Sequence, residues 1–263
     1  MSAVAAQGLS VLDPAVPWML AALLAVAVWG LRWQWSPQRR AMRPQGTASR
    51  LPWPVAGVIM LGVALLFAWL AWGVLAETES GVAENIRRWD TAAFLWAQKW
   101  PSLGVRALVA AWTHLGSLRV LMPLVVLVAI WLLYRRERFV AAAWVVGCTA
   151  NSLLLRALKN AFERGRPPHE ASLGVSGYSF PSGHAAGILM VIGLLVWLLH
   201  DRVSSKWQAP LVVMGALLIV SITASRVLLQ VHFLSDVLAG LLLGVFSLTL
   251  TIAVMERTRE NSP

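Results

Sequence analysis

Three ionisable residues stand alone in a long apolar part of the chain. Between residues 207 and 255 they are Arg226, His232 and Asp236. If this segment is helical, the histidine and the aspartate lie at positions i and i+4, close enough to form a hydrogen bond. A carboxylate behind an imidazole fixes its tautomer and stabilises its cation, which prepares the ring as a base or nucleophile. The alternative is a buried polar cluster that holds two helices together.

A second group of cations lies where another apolar segment ends. Lys159, one of three lysines in the chain, closes that segment, and a Gly-Arg-Pro-Pro sequence follows that forces the chain into a loop. Basic residues at a helix end can simply anchor it at the lipid headgroups. That interpretation suits Arg156 and Arg164. It suits Lys159 and Arg166 less well, because the loop after Arg166 leads directly to a third group.

The third group is the sequence Phe-Pro-Ser-Gly-His at residues 180–184, which precedes an apolar helix. Proline and serine favour a helix start, and the first amides of a helix form an anion site. Gly183 permits close approach of the backbone, and His184 adds a titratable group. A Ser-Gly pair alone is weak evidence, and a lone histidine is more often a satisfied polar residue than a catalyst.

The composition indicates that these groups are carried by membrane helices. The chain has 263 residues, of which 58% are hydrophobic and 13% charged, whereas soluble domains usually carry about 25% charged residues. Fifteen Trp against two Tyr is typical of a chain with many interfacial anchors. The net charge of +10 does not indicate nucleic-acid binding, because the basic residues lie in short loops between apolar segments.

An all-α polytopic bundle is therefore predicted, since a membrane helix needs about 20 mostly apolar residues. Seven segments qualify, and the third of them is short with a start that could lie nearer Leu115. They are Val16–Trp33, Trp53–Ala76, Val120–Tyr134, Phe139–Leu158, His184–Leu199, Ala209–Ser225 and Asp236–Val254.

The distribution of basic residues predicts the orientation. Four alternating segments hold twelve basic and four acidic residues, a net charge of +8, and the remaining segments carry +2. The first side should be cytoplasmic, which places all three polar groups at outer helix ends. Three cations, two histidines and a carboxylate at one surface suit phosphate. The four cytoplasmic segments are Arg32–Arg50, Arg135–Arg138, His200–Lys206 and Glu256–Pro263.

The long outer segment Glu77–Ser117 contains an amphipathic stretch. Within it, Ala83–Trp100 places aromatic residues among charged ones: Trp89, Phe94, Trp96 and Trp100 among Arg87, Arg88, Asp90 and Lys99. Two interpretations stay open: a helix that lies in the membrane interface, and a connector that packs on the bundle.

Taken together, the three groups resemble the type 2 phosphatidic acid phosphatase family, which also includes the soluble vanadium haloperoxidases. The family pattern is Lys-x6-Arg-Pro, then Pro-Ser-Gly-His, then Ser-Arg-x5-His-x3-Asp. Every position is matched, by Lys159, Arg166, Pro167, Pro181, Ser182, Gly183, His184, Ser225, Arg226, His232 and Asp236.

The resemblance implies a role for each matched residue. His232 would attack phosphorus and form a phosphohistidine, Asp236 would orient it, and His184 would protonate the leaving oxygen and later help to activate water. Neither a metal nor another cofactor is implied. The phosphoryl oxygens would be bound by Lys159, Arg166, Ser182, Gly183 and Arg226.

The resemblance also implies an architecture and a substrate class. Residues 51–255 would form a six-helix phosphatase domain, preceded by an extra membrane helix and basic linker in residues 1–50 and followed by a cytoplasmic tail, residues 256–263. The enzyme would hydrolyse a lipid phosphate or diphosphate at the periplasmic face of a bacterial inner membrane. Candidate substrates are undecaprenyl diphosphate, phosphatidylglycerophosphate and phosphatidate. A lipid phosphotransferase and a transporter are the alternatives, and the oligomeric state is open.

Overall fold

The computed structural model describes residues 51–76, 81–99, 103–168 and 177–260, and within these ranges the regular structure is helical. A short 3-10 turn, His114–Gly116, joins the third helix to the fourth. The predicted all-α class is confirmed. The helices are α1 Trp53–Leu75, α2 Val82–Gln98, α3 Leu103–Thr113, α4 Leu118–Tyr134, α5 Arg138–Phe162, α6 Gly183–His200, α7 Ser205–Leu228 and α8 Leu234–Glu260.

Six spans in the described ranges are long and apolar enough to cross a membrane. They correspond to six of the seven predicted segments, and the other, Val16–Trp33, lies outside the described residues. The third span begins earlier than predicted: α3, the 3-10 turn and α4 form a continuous stretch, Gly104–Tyr134. Arg106 in α3 and Arg119 in the first turn of α4 interrupt the apolar run, so hydropathy along the sequence does not show that α3 belongs to this span.

The centre of the bundle is the pair α6 and α8. Buried positions make up 44% of the span in α6 and 50% in α8, against 22–28% in the other four. Glycines allow the close contact: a Cβ atom added to Gly240 would lie 2.4 Å from the carbonyl oxygen of Ser182. Small residues at such crossings are typical of membrane helices. Gly240 thus fixes the start of α6 against the first turns of α8.

A cluster of three phenylalanine rings packs next to the motifs, between α1, the end of α5 and the segment that precedes α6. The ring of Phe180 lies 4.8 Å from that of Phe162 and 5.8 Å from that of Phe67, measured between centroids. Phe162 ends α5 and Phe180 precedes the Pro-Ser-Gly-His sequence. The cluster therefore anchors the ends of the loop that carries Arg166 to the wall formed by α1.

The amphipathic stretch forms α2 and packs on the bundle. Its buried face includes Ile86, Trp89 and Asp90, and the Trp89 ring lies 6.1 Å from that of Trp69 in α1. Of the two interpretations left open by the sequence, the structure shows the packed connector.

Three of the four predicted cytoplasmic segments begin at the end of the bundle opposite to the motifs, and the other, Arg32–Arg50, lies outside the described residues. Arg202, after α6, donates to Glu137, between α4 and α5, at 2.5 Å. At the same end Glu256 accepts a 2.7 Å hydrogen bond from the backbone of Leu51. The structure therefore separates the two groups of charges that the sequence had assigned to opposite sides.

Candidate active site

His232 lies in the turn between α7 and α8. The segment is not one continuous helix, the condition on which the expected i, i+4 pair depended: α7 ends at Leu228 and α8 begins at Leu234, on either side of the break between the last two predicted segments. Gln230 takes a positive φ of 57°, and the backbone N–H of His232 donates to the carbonyl of Arg226 at 3.3 Å. The turn nevertheless brings His232 to Asp236, with 3.4 Å between Nδ1 and Oδ2.

The two ring nitrogens of His232 face groups of opposite charge. Nδ1 faces the carboxylate of Asp236, whose Oδ2 also accepts the N–H of Phe233 at 2.9 Å, and Nε2 lies 3.3 Å from Nη1 of Arg166. A proton on Nδ1 satisfies Asp236 and leaves the lone pair on Nε2. Burial lowers the pKa of His232 to about 4, so the ring is neutral at neutral pH.

Arg166 and Lys159 hold the chain that leads into α6. Arg166 donates from Nη1 to the carbonyl of Val231 at 2.7 Å and from Nε to that of Gly177 at 2.9 Å. Lys159 donates to the carbonyl of Tyr178 at 2.5 Å. Burial lowers the pKa of Arg166 below its usual range, but a guanidinium remains charged at neutral pH. Arg166 is thus fixed beside His232, and Lys159 lies within electrostatic range of Arg166 and Asp236.

The Pro-Ser-Gly-His sequence starts α6, as predicted. The backbone N–H of Ser182 donates to the carbonyl of Asp236 at 2.9 Å, which joins this start to α8. The hydroxyl oxygen of Ser182 is buried and has no hydrogen-bond partner among the described residues. A buried donor of this kind is costly unless a ligand or water satisfies it.

Arg226 and His184 complete the cluster from the side of α3 and the 3-10 turn. Arg226 is 5% exposed and donates to Thr113 at 3.1 Å, while its Nε is buried without a partner among the described residues. A Cβ atom added to Gly116 would lie 3.2 Å from the ring of His184. His184 also lies within electrostatic range of Arg226, Arg166 and His232. The structure thus gathers the predicted residues at one end of the bundle.

Three further polar residues belong to this cluster but were not among the predicted site residues. Arg164 was interpreted as a headgroup anchor, which was wrong, because it bonds both Asp236, at 2.6 Å, and Asp90, at 2.7 Å. Asp90 also accepts two hydrogen bonds from Ser235. The available signal was weak: Arg164 lies two residues before Arg166, and Asp90 follows a tryptophan on an amphipathic stretch.

The arrangement combines a cationic surface, a neutral histidine backed by a carboxylate and a second histidine. Cations and a helix N-terminus stabilise the charge of a phosphoryl group. A histidine whose other nitrogen is held by a carboxylate is prepared for proton transfer or nucleophilic attack. With six apolar spans, these features define a multi-pass membrane protein whose site suits a phosphate-bearing substrate.

Comparison with known proteins identifies the family. The PAP2 superfamily matches residues 139–260, which contain all three motifs. Phosphatidylglycerophosphatase B of Bacillus subtilis (strain 168) is 30% identical over 183 residues, 69% of this chain and 87% of that protein. An uncharacterised 22.5 kDa protein in the cps region of Klebsiella pneumoniae is 30% identical over 146 residues, 55% of this chain and 68% of that protein.

A solved structure agrees with the sequence relatives. The crystal structure of a transmembrane PAP2-type phosphatidylglycerolphosphate phosphatase from Bacillus subtilis matches with a TM-score of 0.66 and 26% identity, covering 75% of this chain and 96% of that one. The chain belongs to the PAP2 superfamily, and it is a membrane-spanning phosphatase.

Proposed function

We propose that this protein hydrolyses a lipid phosphate or diphosphate at the periplasmic face of a bacterial inner membrane, through a phosphohistidine on His232 and without a metal. The observation that carries the proposal is the placement of His232 between Asp236 and Arg166. Phosphatidylglycerophosphate is the first candidate substrate because the sequence relative and the similar solved structure from Bacillus subtilis are named for its hydrolysis. Undecaprenyl diphosphate and phosphatidate are the others.

In the first half-reaction, Nε2 of His232 attacks phosphorus. The nitrogen–phosphorus bond forms as the bond from phosphorus to the leaving oxygen breaks, and Asp236 stabilises the positive charge that develops on the ring. His184 donates a proton to the leaving oxygen. Lys159, Arg166 and Arg226 would bind the negatively charged phosphoryl oxygens.

In the second half-reaction, water replaces the histidine. His184, now neutral, accepts a proton from the water as its oxygen attacks phosphorus, and inorganic phosphate leaves as the nitrogen–phosphorus bond breaks. The buried hydroxyl of Ser182 and Nε of Arg226 support the proposal that a phosphoryl group binds in this cluster. Both need a hydrogen-bond acceptor, and a phosphoryl oxygen would supply one.

An apolar cavity supports a lipid as the substrate. A cavity of about 200 Å³ opens between α1, α5 and α8, and Leu158 in its wall directly precedes Lys159. Phe67, also in its wall, contacts the ring of Phe180 just before the start of α6. A lipid tail in this cavity would place its phosphate beside the cations. The lining residues are Val63, Ala64, Phe67, Leu154, Leu158, Leu242, Leu243 and Phe246.

Phosphate release by the purified protein tests the reaction. We expect release from phosphatidylglycerophosphate, and from one or both of the other candidates, to be unchanged in a chelator because the cations of the site belong to the protein. Loss of activity in chelator that magnesium restores would contradict the metal-free reaction. Transfer of labelled phosphate to an acceptor lipid would identify a phosphotransferase instead.

Thiol labelling tests the orientation. In a Cys148→Ala background, Lys99→Cys places a thiol at the exposed end of α2, on the side of the site, and Arg135→Cys places one at the opposite end. In cells with a permeabilised outer membrane, an impermeant reagent should label the first variant and leave the second unlabelled. The reverse pattern would place the site in the cytoplasm.

A further inference from the structure

Arg164 connects two carboxylates that come from different helices. Its Nη1 donates to Oδ1 of Asp236 at 2.6 Å and to Ser235 at 2.7 Å, and its Nη2 donates to Oδ2 of Asp90 at 2.7 Å. The guanidinium also lies 4.4 Å from the centre of the Phe233 ring. Together these contacts fix the plane of the guanidinium. Because Arg164 occupies Oδ1 of Asp236, Oδ2 is the oxygen that faces His232.

Asp90 is the outer member of this chain of contacts. Its Oδ1 accepts the backbone N–H of Ser235 at 2.8 Å, and its Oδ2 accepts the hydroxyl of Ser235 at 2.6 Å as well as Arg164. Burial raises the pKa of Asp90 above its usual 3.8, and Arg164 and Ser235 oppose the rise. Because all three contacts are donated to it, the carboxyl group is bound in its ionised form.

The charges of these groups have a consequence for His232. Arg164 alone would neutralise Asp236, the carboxylate that must stabilise a positive imidazole ring. With Asp90 ionised, the cluster of two carboxylates and one guanidinium retains one negative charge. The side chains of both aspartates are at most 4% exposed, so water screens this charge little.

We propose that Asp90 and Arg164 are positioning residues that together orient Asp236 and maintain one net negative charge behind His232. This inference rests on the proposed function, in which His232 becomes positively charged. It gives α2 a role in the reaction: the connector supplies the carboxylate that balances Arg164.

The other charged groups that face His232 belong to four elements. Arg166 from the loop after α5 lies 3.3 Å from Nε2, and Asp236 from α8 lies 3.4 Å from Nδ1. Arg226 from α7 and His184 from α6 lie within electrostatic range. None of these groups changes in the variants below, so a shift in the titration of His232 reports the charge of the Asp90–Arg164 pair.

Two single variants and their combination test the proposal. Asp90→Asn leaves the cluster with no net charge, Arg164→Gln leaves it with two negative charges, and the double variant restores one. By NMR of histidine-labelled protein in detergent, the pKa of His232 should fall by about one unit in Asp90→Asn, rise by about one unit in Arg164→Gln and return near the wild-type value in the double variant. His232→Ala identifies the resonance.

Activity should respond to both the charge and the orientation of Asp236, so both single variants should lose activity. We expect kcat for an aryl phosphate to fall about tenfold in Asp90→Asn, because less negative charge stabilises the ring in the transition state. The double variant should lose less than the product of the two single losses. Asp90→Glu keeps the charge and should keep the wild-type pKa of His232, even where kcat falls.

Glu84→Gln is the matched control, because it removes an exposed carboxylate from the same helix and should change neither measurement. A His232 pKa that is the same in all variants would overturn the proposal and leave Arg164 with a purely structural role. The titration does not require turnover. A protein that shows these shifts but lacks activity dependent on His232 would refute the proposed function instead.

Discussion

Replacing His232 with alanine should abolish phosphate release from every substrate, lipid or aryl. The variant loses the nucleophile, which is needed whatever group leaves, and loss of a nucleophile costs several orders of magnitude, at least about 10³-fold. Asp236 cannot take its place because its carboxylate is bound by Arg164 and the N–H of Phe233. The measurement is phosphate release from phosphatidylglycerophosphate and from an aryl phosphate by protein of matched purity.

His114→Ala is the control for this loss. His114 is an exposed histidine at the same end of the bundle, in the 3-10 turn and within electrostatic range of His184, and its removal should cost far less activity than the loss of His232. If His232→Ala kept its aryl phosphatase activity and His184→Ala were inactive, the result would show that His184 is the nucleophile and would contradict the proposed mechanism.

His184→Ala should reduce hydrolysis of a lipid monophosphate by about 10²–10⁴-fold, the range typical of general acid catalysis. The loss on an aryl phosphate should be much smaller, because a nitrophenolate leaves without a proton and an alkoxide does not. Phosphohistidine should accumulate from the aryl substrate, since the second half-reaction still needs His184 to activate water. The ratio of kcat/KM values for the two substrates measures the effect.

Equal losses on both substrates would show that His184 is not the acid. Its position at the start of α6, beside Gly116, would then reflect phosphate binding or helix capping.

The membrane spans and the motifs could be predicted because each is specified by residues that are close together in the sequence. A run of apolar residues identifies a membrane helix, and six of the predicted segments correspond to helices of the structure. Because successive membrane helices alternate in direction, the three motifs were expected at the same end of the bundle. The structure brings them together there: the backbone N–H of Ser182 donates to the carbonyl of Asp236, and Arg166 lies beside His232.

Other features depended on contacts that no local pattern encodes. The sequence around His232 is apolar enough to continue a helix, and the turn is specified by Gln230, whose side chain lies between Phe94 and Arg106. The contact between Asp90 and Arg164 joins residues 74 positions apart. An amphipathic stretch is compatible with a membrane surface or a protein surface, so α2 could not be placed before its contacts were known.

In the proposed reaction the phosphoryl group is transferred to His232, so the phosphohistidine can be trapped. The His184→Ala variant should be mixed with ³²P-labelled aryl phosphate, and the reaction should be stopped with alkali and digested, because a phosphohistidine is stable in alkali and lost in acid. We expect label on the peptide that contains His232, and none when His232→Ala is added to the same variant. Label on another residue, or turnover by wild-type protein with no labelled peptide at any time, would contradict it.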